Sequence, residues 1–211
     1  MSDADPAVEP DAVAATRKLT PKGAATRARI LDYATEAFAT DGYAATSIRT
    51  VAVRAGMTTG AIYAIFGSKA GLLLEAVRES ISNDLEAFPP EVMAKPLPDI
   101  VAWQFERSGE DGRRRLRKLL VEAAGAASTD AEIRDALGAL VDNRLASWAE
   151  AHREWQHAES IDPDVDMQAV TSLSMAIELG IGILEELGVS APSPAQSADY
   201  VRRLLGTFPP L

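Results

Sequence analysis

The chain has 211 residues, 47% of them hydrophobic, and a formal net charge of −10, which is ample for the packed core of one large or two small domains. It has no cysteine, which excludes disulfides, thiolate metal sites and cysteine nucleophiles. The N-terminus lacks the basic-then-apolar run of a signal peptide and no long uncharged apolar stretch could span a membrane, so a cytoplasmic protein with no membrane partner is expected.

An acidic chain, taken whole, argues against nucleic acid, but the charge is unevenly spread. Residues 17–78 carry +5, whereas residues 1–16 carry −4 and residues 79–211 carry −11. A basic head on an acidic body draws DNA to one end and repels it elsewhere.

Residues 1–18 are acidic and rich in Ala and Pro, the composition of a disordered tail. Arg17 and Lys18 at its end suit either a minor-groove arm or incidental charge on an unordered segment. From Lys22 to Tyr43, Ile30, Tyr33, Ala34, Ala37 and Phe38 mark one face of a helix that ends at Asp41-Gly42.

The next segment, TSIRTVAVRAGMTTGAIYAIFGSK (residues 46–69), reads as two short helices about a glycine. Thr46 is expected to cap a helix over Ser47–Ala55, Gly56 to end it in the left-handed conformation, and Thr58 to cap a second running to about Phe66. Three turn residues between two helices is the spacing of a helix-turn-helix, whose second helix enters the major groove. Ala52, Gly56 and Ile62 supply the small, turn and apolar positions that such a unit needs. The alternative is a plain helical hairpin. Ser68-Lys69 then opens a connecting helix over 68–88 through Leu72, Leu73, Ala76, Val77 and Ile81.

Beyond it, Phe88-Pro89-Pro90 and Lys95-Pro96-Leu97-Pro98 break the backbone. Helical patterns follow over Asp99–Ser108, Arg113–Ala127, from Thr129-Asp130 toward His157, Asp164–Leu187 and Ala195–Thr207. No stretch alternates like a strand, so the protein is expected to be all-α with about nine helices. The basic run Arg113–Lys118 reads as a solvated helix face paired with nearby Glu and Asp.

Residues 173–187 are apolar or small nearly all round, and a helix of that kind must be covered on more than one side. A second copy of the chain is the expected cover, with Leu173, Ile177, Gly180, Ile181, Leu184, Tyr200, Val201 and Leu204 at a homodimer interface. A central core helix of a monomer is the alternative. His152 and His157 lie five apart, on different helix faces, so no shared metal is expected. No phosphate loop, nucleophile elbow or zinc spacing is present, so neither an enzyme nor a cofactor is expected.

The motifs T-R-x-x-I-L, F-x-x-x-G-Y-x-x-T-S, A-x-x-A-G and Y-x-x-F-x-S-K occur in order across residues 26–69. In that combination the chain resembles the TetR family of bacterial transcription regulators over about residues 22–78. The resemblance implies a three-helix DNA-binding domain at 19–67 and a helical effector-binding and dimerisation domain at 68–211. It implies too that Lys69, Tyr63 and Thr46 hold the phosphate backbone, while Thr58, Thr59 and Gly60 meet base edges. Arg49 suits a guanine, a phosphate or plain solvent, and Lys22 and Arg27 are further phosphate candidates. Ile65 departs from the family's usual polar residue and would pack in the core or touch a thymine methyl.

By the same resemblance, the protein is a ligand-responsive repressor that binds palindromic double-stranded DNA as a homodimer and is released by a small-molecule effector. Trp103, Phe105, Trp148, Met167 and Met175 are the candidates for lining the effector pocket, although residues of these types at helical spacing also make ordinary core. The alternative function is a helical small-molecule-binding or catalytic protein whose helix-turn-helix no longer binds DNA.

Overall fold

The computed structural model describes residues 20–86, 89–93, 95, 97–159, 166–190 and 192–206. The tail over residues 1–18, with Arg17 and Lys18, lies outside them. The chain is all-α, with nine helices of eight residues or more among the described residues. These are α1 (Pro21–Asp41), α2 (Ile48–Ala55), α3 (Thr59–Phe66), α4 (Lys69–Glu86), α6 (Leu97–Glu106), α7 (Asp111–Ala127), α8 (Ala131–Glu159), α9 (Met167–Glu186) and α10 (Pro194–Gly206), with one turn of helix, α5 (Pro90–Met93), between α4 and α6. No single described helix is long and apolar enough to cross a membrane.

Local signals set the head. Thr20 caps α1 by accepting from the Gly23 N–H at 3.2 Å, with Pro21 at the first helical position, where its missing N–H costs nothing. Gly56 takes the left-handed conformation (φ 66°, ψ 34°) and ends α2; Thr58 then caps α3, accepting from the Ala61 N–H at 3.1 Å. The cap of α2 is one residue later than expected. Ser47, not Thr46, accepts from the Arg49 N–H, and Thr46 turns inward to donate its hydroxyl to the carbonyls of Gly42 (2.7 Å) and Ala37 (3.2 Å). Two adjacent hydroxyl residues offer the same cap chemistry; the closure of the α1–α2 loop claims the first.

Prolines open helices here rather than only breaking the chain. α5 starts at Pro90 and α6 at Leu97, so Pro98 sits inside the first turn of a helix expected to begin at Asp99. A first turn has no intrahelical acceptor for its N–H groups, and proline is tolerated there. At the other end α6 stops at Glu106 and tightens into a 3-10 turn over Arg107–Gly109. Asp130 caps α8 through the N–H groups of Glu132 and Ile133, and Asp166 caps α9 through those of Gln168 and Ala169.

One apolar cluster runs from the head into the body. Ile30, Phe38, Val51, Ile62, Leu72 and Leu73 meet Leu119 of α7 and Ile133 of α8 without a polar break. Head and body are also joined by a hydrogen bond, the Tyr43 N–H donating to the Glu122 carboxylate of α7 at 2.8 Å. A second cluster, Val101, Ala102, Phe105, Ile181, Ala198 and Val201, packs α6 against α9 and α10. Arg202 braces it, its guanidinium reaching Asp99 at 2.7 Å and Glu106 at 3.3 Å. α7 therefore lies between the head and the rest of the body.

Candidate nucleic-acid interface and body cavity

α3 is two-sided. Ile62 and Phe66, four residues apart, are buried in the head. Thr58, Thr59, Gly60, Tyr63 and Ala64 are exposed on the opposite side. The Thr58 oxygen accepts within the helix, so its O–H hydrogen is left to donate outward. Tyr63 is 48% exposed. A Cβ on Gly60 would have only the Thr58 hydroxyl nearby, at 3.9 Å. Packing within the protein therefore does not require glycine at that position.

The basic residues of the head fall into two groups. Arg27 pairs with Glu75 of α4 and lies 5.3 Å from the Phe66 ring centroid, so it fastens α1 to α3 and α4. Arg54 pairs with Glu36 at 2.9 Å over the Tyr33 ring, and Arg78 pairs with Glu75. Lys22 and Arg49 are exposed and make no ion pair among the described residues. Lys69 lies between the groups: its ammonium donates to the Ala44 carbonyl at 3.2 Å and sits 4.6 Å from the Tyr43 ring centroid. Partial burial there lowers the lysine's pKa from its ordinary value. The Ala44 carbonyl and the Tyr43 ring hold the amine in place.

The structure thus groups Thr58, Thr59, Gly60 and Tyr63 on one exposed face and leaves Lys22 and Arg49 exposed as well. It removes Thr46, which is 4% exposed with its hydroxyl donated inward, and it engages Arg27 internally. Ile65 does not join the core. At 44% exposure it borders a hollow shared with Thr20, Lys22, Thr26 and Arg27.

The body contains a cavity of about 90 Å³, walled by α4, α6, α7, α8 and α9. Ile81, Leu116, Leu120, Leu145 and Leu179 form its apolar lining. Of the five pocket candidates, Met175 lines it. Phe105 is fully buried in the second cluster, and Trp103 lies under the Arg107 guanidinium at 4.6 Å. The side chains of Trp148 and Met167 lie outside the described residues.

The polar part of the wall escaped the sequence reading. Arg113 and Arg117 are buried at 8% and 3% exposure, whereas Arg114 and Arg115 between them face solvent. The basic run is therefore not a solvated face throughout. Arg113 pairs with Asp84 of α4 at 3.0 Å and with Glu178 of α9 at 3.2 Å. Arg117 reaches Glu178 at 3.7 Å and Glu185 at 2.8 Å, and donates to the Ser108 carbonyl at 2.7 Å. Arg144 of α8 also meets Asp84, at 3.3 Å. Burial, together with repulsion from Arg113, lowers the Arg144 pKa to about 10 despite Asp84, and burial raises that of Glu178. The four-residue spacing of Arg113 and Arg117, in step with Leu116 and Leu120, was the available signal.

On α9 and at its C-cap the large apolar residues left exposed include Leu173 (64%), Ile177 (42%) and the cap residue Leu187 (69%). With Gly180 and Leu184 they recur at intervals of four and three residues, the spacing of a helix-pairing seam. Tyr200 and Leu204 add exposed apolar area on α10. Ile181 and Val201 do not belong to this face, because both are buried against α6.

Residues 30–76 match the family model for bacterial regulatory proteins of the tetR family. No curated protein matches the chain closely. Among solved structures, GusR of Salmonella enterica is 25% identical, with 90% of this chain and 97% of that one covered at a TM-score of 0.66. FadR of Bacillus subtilis, solved in complex with stearoyl-CoA, is 17% identical, with 85% and 97% covered and a TM-score of 0.66. NalD of Pseudomonas aeruginosa, the secondary repressor of the MexAB-OprM multidrug efflux pump, is 20% identical, with 87% and 95% covered and a TM-score of 0.61.

Proposed function

We propose that this chain, whose residues 30–76 match the tetR-family model and whose fold is shared with solved regulators of that family, is a repressor which binds a palindromic operator as a homodimer and lets go when a small molecule enters its body. The observation that carries the proposal is the outward face of α3, where Thr58, Thr59, Gly60 and Tyr63 are exposed while Ile62 and Phe66 anchor the helix. The proposed domain division is 19–67 for DNA and 68–211 for effector and dimerisation, acting in the cytoplasm. Two copies joined along α9 and α10 would set their α3 helices about 34 Å apart, one turn of duplex. Lys22, Arg49 and Lys69 would contact phosphates and fix the register; the first turn of α3 would read bases.

Two substitutions test this by mobility shift. Gly60→Ala is expected to leave the melting temperature unchanged or slightly higher, because its new methyl group meets nothing nearer than 3.9 Å. It should weaken operator binding about tenfold by holding the backbone off the bases. Unimpaired operator binding would remove Gly60 from the interface.

Lys69→Ala is expected to weaken all duplexes alike and to reduce the slope of log affinity against log salt by about one. Equal weakening with an unchanged slope would count against a phosphate contact. The rival reading, a helical protein whose helix-turn-helix has lost DNA function, predicts that neither variant changes any binding to duplex DNA.

A further inference from the structure

We propose that the body cavity takes a small amphipathic carboxylate, whose anionic head displaces Asp84 from Arg113 and Arg144 while its apolar part lies against Leu116, Leu145, Met175 and Leu179. This deepens the effector-responsive reading and rests on it.

Three guanidiniums and two carboxylates, Asp84 and Glu178, line the cavity. A third carboxylate, Glu185, neutralises Arg117 from the rim, where it is 38% exposed. Arg113 and Arg144 both reach Asp84, and Glu178 serves Arg113 and Arg117 from across the cavity. Buried cations hold their charge only with close counter-ions, and a planar guanidinium fork matches a carboxylate better than any neutral group.

Size limits the ligand. At about 90 Å³ the cavity is smaller than the ~150 Å³ void that admits benzene, so an apolar body of about six carbons enters only with some outward movement of α9. The ligand's effect follows from where Asp84 stands. Asp84 is on α4, the helix that follows the recognition helix directly, and it ties α4 to α7 and α8. A carboxylate from outside that replaces it removes the ion pairs from α4 to α7 and α8 and leaves α4 held there by apolar packing.

Calorimetric titration of the full-length protein with hexanoate, benzoate, hexanol and hexylamine tests the ligand class. Hexanoate or benzoate should bind at least about tenfold more tightly than the alcohol or the amine. Equal or tighter binding of hexanol or hexylamine, or no binding by either carboxylate, would overturn the proposal. Asp84→Asn removes the competing charge at constant shape, so it should bind the carboxylates about tenfold more tightly, and unchanged or weaker binding would overturn the displacement. If that variant does not fold, Arg144→Lys provides the test: it keeps the charge but loses the fork, and should cost the carboxylates about tenfold. Retained affinity would remove Arg144 from the site.

Mobility shift on the unliganded protein separates this inference from the regulator reading. Operator binding without carboxylate selectivity sinks the ligand class alone. Carboxylate selectivity without any duplex binding sinks the regulator reading and leaves the ligand class standing.

Discussion

Gly71→Ala should destabilise the protein and abolish specific DNA binding, although alanine is the better helix former. A Cβ built on Gly71 falls well inside contact distance of the Phe66 carbonyl oxygen, which is backbone and cannot rotate away. The clash lies in the elbow between α3 and α4, where the chain bends by 65° and the Ser68 hydroxyl accepts from the Gly71 N–H at 2.9 Å. To make room the elbow must open, and α3 must turn relative to α4. Overpacking of this kind costs about 1–3 kcal/mol, more than the roughly 1 kcal/mol that alanine gains in helix propensity. Each base contact put out of place costs about 1–3 kcal/mol, so losing two weakens operator binding on the order of 100-fold or more. Denaturant melts and mobility shifts read both effects. A variant as stable as the parent that still binds its operator would mean the elbow is not rigid. The contrast with Gly60→Ala is informative, because the two glycines lie eleven residues apart on either side of that elbow. One is required by the protein's own backbone and the other only by the proposed DNA.

Ile177→Glu should leave the protein monomeric by breaking the proposed dimer. Ile177 is 42% exposed in the protomer, so a carboxylate there is tolerated by the isolated chain. In a two-fold seam with Leu173, Leu184 and Leu187, each substitution places two carboxylates in one apolar interface. A buried unpaired charge costs several kcal/mol, and two of them weaken association by roughly 1,000-fold or more. Sedimentation at micromolar concentration should give a monomer, with helical content unchanged by circular dichroism. Operator affinity should fall in parallel, since a single head makes half the contacts. A variant that remains dimeric would move the interface off this face of α9.

What was legible in the sequence is local. Gly56, Thr58 and Ile62 act within one or two turns of themselves, and the structure places all three as their types and spacing imply, with the helix ending at Phe66 as expected. Thr46 and Ser47 could not be told apart, because the partners of the Thr46 hydroxyl, at Gly42 and Ala37, belong to the loop closure and the preceding helix. The body cavity was the least legible part. Arginine is most often a surface residue, and what buries Arg113 is Asp84, Glu178 and the Gln104 carbonyl, brought from three other helices. Pairings that far apart leave no mark on the neighbouring sequence. Phe105 is core, one of the two readings that its type and spacing leave open, because apolar spacing on a helix says that a residue is covered and not by what.

The central proposal is that α3 reads DNA in two symmetric copies. Selection of bound duplexes from a random-sequence library, at two salt concentrations and with purified full-length protein, tests it directly. Enrichment of an inverted repeat whose half-sites are centred about one helical turn apart, with affinity falling as salt rises, is the predicted result. A library that returns no inverted repeat, or binding indifferent to salt, would contradict it.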